Sequence, residues 1–295
     1  MRRLLFVWIL FIFSISACGG NASPVGTADP VILTSTTFLA DITRNIAGDR
    51  VSVESLLPIG ADPHSYQPTP RDVARVADSE LLIINGVGYE HFIETLLENA
   101  GGEKEVLEAS AGISPREDAD GIDPHMWLDP NNVIVYVENI REALTHYDPD
   151  GAAVYRSNAD AYIAELQGLD TWIVEQVSQI PQEKRLLVTN HEALGYFAER
   201  YEFTIAGTVI ESFSSGASPS AGQMAGLIDQ IKSSGAPAIF LDASDNEALA
   251  NQIADETGVR VVTDLHLESL TDGPPAGTYI DMMKYNVSLI IESLR

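Results

Sequence analysis

Three histidines stand where the chain is stiffened or has just left a strand. His64 closes Asp62-Pro63-His64, His125 lies in Asp123-Pro124-His125-Met126-Trp127-Leu128-Asp129-Pro130, and His191 follows Val188-Thr189-Asn190. Imidazole is the commonest metal ligand in proteins, and a proline just before it narrows the backbone that aims it. The chain has six histidines, and these three come from widely separated segments. They point to one metal site assembled from distant loops. A carboxylate, Asp264, directly follows the β-branched run 259–263 and supplies a candidate fourth ligand.

The elements that must position these side chains are legible from hydropathy. Strands are expected at 31–35, 51–57, 81–85 and 106–107, with helices at 38–47, 70–77 and 89–97 between them. A polar loop with Glu117, Asp118, Asp120 and Asp123 then leads to His125 and a helix over 131–146. A longer helix over 152–180 carries an apolar stripe of Ala159, Tyr162, Ile163, Leu166, Leu169, Ile173, Val177 and Ile180, and Pro181 ends it. Strand–helix alternation then restarts, with strands at 185–189, 204–209, 238–241 and 259–263. Such alternation means parallel α/β architecture, and ligands in such sheets bind beyond the carboxyl ends of strands. The fold expected is therefore α/β: two lobes, each a mostly parallel sheet flanked by helices, joined by one long stiff helix. His64, His125, His191 and Asp264 would face one crevice between the lobes. The corresponding divisions are 1–17 signal peptide, 18–29 tether, 30–148 first lobe, 149–181 linking helix and 182–295 second lobe.

Composition excludes some partners. With 43 acidic against 17 basic residues the formal net charge is −26, the wrong sign for a nucleic-acid binder. Arg2 and Arg3 precede the apolar run 4–15, which is too short to span a bilayer, and Ile15-Ser16-Ala17-Cys18 follows. This pattern reads as a bacterial lipobox, with Cys18 acylated and a Gly/Ser/Pro leash after it. Cys18 is the single cysteine, so no intramolecular disulfide can form. The expected location is extracytoplasmic, lipid-anchored to the bacterial membrane.

The metal-candidate segments also carry a likeness. Gly60-Ala61-Asp62-Pro63-His64-Ser65-Tyr66-Gln67-Pro68-Thr69-Pro70, the 123–130 segment, Val188-Thr189-Asn190-His191 with Gly195-Tyr196-Phe197, Val262-Thr263-Asp264 and the tail 279–286 resemble the metal-binding solute-binding proteins of bacterial ABC importers (cluster A-I, TroA-like). The resemblance spans about residues 30–295. It implies metal capture between two lobes bridged by a rigid helix, delivery to a membrane permease, no enzymatic turnover, and a monomer. It assigns His64 and His125 to the first lobe's ligands and His191 and Asp264 to the second's. Family members that bind manganese typically have glutamate where His191 stands here. Three imidazoles and one carboxylate suit tetrahedral zinc, so Zn2+ is favoured and Mn2+ is the alternative. Zinc-specific members commonly carry a histidine-rich loop before the second ligand; the loop here is short and acidic.

Other readings stay open at this level. His266 rivals Asp264 for the fourth position. Asp62, Asp123 and Asp129 could orient imidazoles or simply shape turns before proline. Trp127 and Tyr66 are expected to pack around the site. A secreted zinc hydrolase would need an open coordination position, with Glu192 as its base, and the chain has no His-Glu-x-x-His motif. A surface adhesin with a structural metal is the remaining alternative.

Overall fold

The computed structural model describes residues 31–101, 104–118 and 121–295. The expected signal peptide, the expected 18–29 tether and Cys18, the expected acylation site, lie outside the described residues, as does Asp120.

Chain order in the first half is β1 (Val31–Thr34), α1 (Thr37–Ala47), β2 (Ser52–Ser55), α2 (Pro70–Asp78), β3 (Leu81–Ile84), α3 (Ile93–Ala100) and β4 (Glu105–Glu108). All pairings are parallel, in the order β2-β1-β3-β4. Strand β3 reads Leu81-Leu82-Ile83-Ile84 and is buried throughout, as a strand covered by helices on both faces must be. The acidic loop holds a short antiparallel hairpin, β5 (Glu117–Asp118) and β6 (Gly121–Ile122), which hydropathy alone does not signal.

Two helices follow, α4 (Pro130–Tyr147) and α5 (Ala152–Val177). The second half runs β7 (Leu186–Thr189), α6 (Gly195–Tyr201), β8 (Thr204–Thr208), α7 (Ala221–Ser234), β9 (Ala238–Asp242), α8 (Glu247–Thr257), β10 (Arg260–Leu265) and α9 (Tyr279–Leu294). Its sheet, β10-β9-β7-β8, is also all parallel and repeats the strand order of the first.

Helix α5 lies between the halves in sequence and in space. At about 1.5 Å per residue its 26 residues extend about 39 Å. Tyr155, Ala159, Tyr162, Leu166, Leu169, Ile173 and Val177 form its buried face, at the three- and four-residue spacing of one helical stripe. That face meets α1 and α4 of the first half and α6 and α9 of the second. One apolar cluster accordingly runs through both halves, from Phe38 and Trp127 to Phe240, Leu265 and Met282. The helix ends at Val177, short of Pro181, as Ser178, Gln179 and Ile180 close the last turn with backbone bonds to Val174, Gln176 and Val177.

Candidate metal centre

His64 rides on the loop between β2 and α2. Leu56 and Leu57 first continue the β-ladder by donating their N–H groups to the carbonyls of Thr34 and Ser35 at 2.7 and 3.0 Å. Past Pro63 the chain turns around Asp62, whose Oδ1 accepts the His64 N–H at 2.8 Å. The His64 side chain is buried, with 1% of its surface exposed.

His125 follows the β5–β6 hairpin and opens a short 3-10 turn, Met126–Leu128. Asp123 Oδ1 accepts both its N–H and its Nδ1–H, each at 2.9 Å. Asp129 then caps α4 by accepting the Asn131 N–H at 2.8 Å, and Pro130 occupies the first helical turn, where no amide donor is missed. The Asp-Pro pairs at 62–63, 123–124 and 129–130 thus divide the roles left open by sequence. Asp123 orients a ring, Asp62 shapes a turn, and Asp129 caps a helix.

His191 is two residues beyond the carboxyl end of β7, as the strand-end rule requires. Neighbouring Asn190 extends the sheet, donating to Phe240 O at 3.2 Å and accepting from the Ile210 N–H at 2.7 Å. The helix after it begins at Gly195, so Glu192 lies in the connecting turn. The N–H of Glu192 donates to Ser212 O at 3.0 Å, and Glu192 is not among the converging donors.

The fourth converging group is Glu268, not Asp264. His64, His125, His191 and Glu268 each offer a ligand atom, and these atoms lie within 4.8 Å of one another. Glu268 Oε1 is 3.0 Å from His64 Nε2, 2.9 Å from His191 Nε2 and 3.5 Å from His125 Nε2, and the His64 and His125 Nε2 atoms are 3.2 Å apart. Four ligands bound at about 2.0–2.1 Å in a tetrahedron are separated by about 3.3 Å, so these separations match a metal-sized space.

Asp264 is excluded by the length of its strand. The expectation ended the strand at Thr263, but β10 runs to Leu265 with a register shift against β9 between Val262 and Leu265. Asp264 is therefore inside the strand, exposed to solvent. His266 is also diverted: its backbone is held at both ends by the Asn286 side chain, and its ring lies 5.6 Å from that of Tyr285. The acid beyond the true strand end is Glu268. Its segment is pinned by Asp242 Oδ2, which accepts the Leu267 N–H at 2.5 Å, and by Trp127 Nε1, which donates to Leu267 O at 2.8 Å. The one available signal was an acid four residues past Asp264 in His266-Leu267-Glu268.

Trp127 does frame the site. It is fully buried, stacks on Phe38 at 4.5 Å, and its ring is 5.3 Å from that of His125. Tyr66 does not; its hydroxyl donates to Asp72 Oδ2 at 2.8 Å and its ring meets Phe92. His91 and His146 are exposed.

Burial and charge act against each other in this cluster. Burial alone would push the Glu268 carboxyl up, but the His64, His125 and His191 imidazoles outweigh it and hold the group well below its usual range. Burial lowers His64, despite the attraction of Glu268. Burial also opposes charge on His125, but the hydrogen bonds to Asp123 and Glu268 prevail and hold it at about 9. Asp245, whose Oδ1 is 3.9 Å from His191 Nδ1, is pushed up to about 6, chiefly by its own burial. A dry cluster of three imidazoles and one ionised carboxylate is suited to a divalent cation, which would neutralise the carboxylate and satisfy every converging lone pair.

Comparison with known proteins shows the family to which this fold belongs. The chain is 37% identical to the manganese-binding lipoprotein MntA of Halalkalibacterium halodurans, over 100% of its own length and 99% of the relative's. Among solved structures it superposes on the Mn-bound periplasmic metal-binding protein of candidatus Liberibacter asiaticus with a TM-score of 0.80 at 30% identity, covering 90% of this chain and 100% of that one. The periplasmic zinc-binding protein TroA of Treponema pallidum matches with a TM-score of 0.84 at 27% identity, covering 90% and 99%. Residues 32–293 match the family described as zinc-uptake complex component A, periplasmic (ZnuA), and the chain belongs to that family.

Proposed function

We propose that this protein is an extracytoplasmic, lipid-anchored solute-binding protein that captures a divalent transition metal through His64, His125, His191 and Glu268. It would deliver the ion to the membrane permease of an ABC importer. The observation that carries the reading is the convergence of four buried donors, two from each half, around one metal-sized space. Membership of the ZnuA family and the lipoprotein name of the 37% relative support the location and the transport role. Four protein donors fill a tetrahedral shell and leave no position for a reacting water, which favours binding over hydrolysis. Anchoring at Cys18 is part of the proposal; mass spectrometry of the native membrane fraction tests it.

Two kinds of support bear on the cargo. Three nitrogens and one oxygen take zinc more tightly than manganese, since manganese stands at the weak end of the divalent affinity series. The names of the MntA relative and of the Mn-bound Liberibacter structure favour manganese as the ion carried. A site that prefers zinc chemically can carry manganese where supply decides, so elemental analysis of protein purified without added metal identifies the cargo.

The ligand set is tested by pairing Glu268→Ala with Asp264→Ala. Glu268→Ala should weaken zinc binding on the order of a hundredfold or more, about one ligand's share of a structural zinc site. Asp264→Ala should bind as wild type in a competition titration. The reverse pattern would return the fourth position to Asp264.

A further inference from the structure

The three imidazoles differ in what steadies them. His125 rests Nδ1 on Asp123 at 2.9 Å, and His191 turns Nδ1 towards Asp245 at 3.9 Å. The buried Nδ1 of His64 has no hydrogen-bond partner among the described residues. A ligating imidazole is normally aimed through its second nitrogen, and one without that contact is aimed by its backbone. For His64 that backbone is fixed by Asp62 Oδ1. The other oxygen, Oδ2, accepts from Ser65 Oγ at 2.8 Å and, from the second half of the molecule, Ser215 Oγ at 2.7 Å.

Ser215 lies in the segment 211–220, Glu-Ser-Phe-Ser-Ser-Gly-Ala-Ser-Pro-Ser, which joins β8 to α7 without helix or strand and without a fully buried residue. Segments with so little buried surface open at low free-energy cost. Apart from the His64–Glu268 contact in the cluster itself, the loop bearing His64 meets the second half, among the described residues, through the hydrogen bonds of Asp62 to Ser215 and of the Gly60 N–H to Ser269 Oγ at 2.8 Å. The Ser269 contact belongs to the Glu268 segment, which is further tied to the first half by the Leu270 N–H donating to Thr37 Oγ1 at 2.8 Å and by the Trp127 bond. Among the described residues the Ser215 contact has no such hydrogen-bond reinforcement in its own segment. The four donor side chains are each 2% exposed or less, so an ion cannot pass unless a segment moves.

We propose that Ser215 is a positioning residue for His64. Its hydroxyl, given across the two halves to Asp62, keeps the His64 imidazole on the ion and fastens the 211–220 strap to the loop that moves when the ion enters or leaves. This rests on the metal-site reading above.

Zn2+ release into a chromogenic chelator, followed by stopped flow, tests it. Ser215→Ala should release zinc roughly tenfold faster or more, the loss expected for a hydrogen bond to a charged group. Ser215→Thr, which keeps the hydroxyl, should restore the wild-type rate. Ser214→Ala, in the same strap but with its hydroxyl accepting only the Gly216 N–H among the described residues, should leave the rate unchanged. The metal-free Tm of all three should match wild type, which separates positioning from folding. A wild-type release rate in Ser215→Ala, or a Ser215→Thr protein as fast as Ser215→Ala, overturns the proposal, while weakened zinc binding in His64→Ala leaves the metal site standing. If His64→Ala binds zinc like wild type, the metal-site reading itself fails.

Discussion

Asp62-Pro63-His64 and Asp123-Pro124-His125 share a tripeptide, and in both the aspartate Oδ1 accepts the histidine N–H two residues on, at 2.8 and 2.9 Å. Beyond that bond they diverge. Asp123 bends back to its histidine ring and is itself buried, whereas Asp62 turns outward to two serine hydroxyls. The ring held by its own aspartate keeps its proton to about 9, and the ring without that contact is driven by burial below its ordinary range. The same three residue types therefore make two different ligands. One is a basic imidazole carried by a fixed carboxylate, the other a neutral imidazole carried by a turn.

The largest effect that would sharpen this contrast comes from the aspartates themselves. Asp123→Ala should weaken zinc binding about 10–100-fold, the usual loss when the carboxylate behind a ligating histidine is removed. Asp62→Ala should instead act mainly on the rate of release, through the turn and the Ser215 contact. Equal affinity losses in the two variants, measured by competition titration, would erase the distinction.

The pH dependence follows from the same difference. Below about 9 the metal-free protein holds a proton on His125 that an incoming ion must expel, so affinity should rise with pH, by about tenfold per unit from that proton alone, and level off above about 9. His64, with its value lowered, has already lost its proton at neutral pH and adds to the slope only in more acidic solution. In Asp123→Asn one of the two charges supporting the His125 proton is gone while Glu268 remains, so the rise should level off at a lower pH than in wild type. An unchanged levelling-off in that variant would locate the displaced proton elsewhere.

A smaller effect comes from across the halves. A Cβ at Gly195, the first residue of α6, would stand 2.5 Å from Asp123 Oδ2 and 2.7 Å from Arg116 Nη1, and Tyr196 OH donates to Asp123 O at 3.0 Å. Gly195→Ala should therefore displace the Asp123 carboxylate and reproduce part of the Asp123→Ala loss, several-fold in zinc affinity. Wild-type affinity in Gly195→Ala would mean that Asp123 has room to adjust.

The smallest effect belongs to Asp129-Pro130. Asp129→Ala removes the N-cap of α4 and should cost about 1 kcal/mol of stability, read as a lower Tm of the metal-free protein, with zinc affinity unchanged. A change in affinity would show that the cap also reaches the site.

Much of the architecture was legible from periodicity because it is locally encoded. Buried strands such as Leu81-Leu82-Ile83-Ile84 are short apolar runs, and the stripe of α5 repeats at helical spacing whatever it packs against. The hairpin β5–β6 was not legible, because two-residue strands of Glu117-Asp118 and Gly121-Ile122 carry no alternation to detect. Three of the four converging side chains were legible for a related reason. A proline before His64 and His125, and a strand end before His191, are local features that aim a ring whatever surrounds it.

By itself, then, the sequence determined two parallel α/β halves, the helix between them and three histidines bound for one crevice. Tertiary structure alone decided the fourth member and the work of each aspartate. Asp264 and Glu268 are both acids near the end of one strand, and the choice between them depends on a two-residue extension of β10 and on a hydrogen bond from Trp127, 140 positions away, to the carbonyl of Leu267. Asp62 and Asp123 occupy the same tripeptide, and what separates them is which distant group, Ser215 or Gly195, packs against the carboxylate. Strand and helix patterns report the water-facing and core-facing sides of a single element. The direction of one side chain in a loop reports contacts between elements, which local periodicity does not encode.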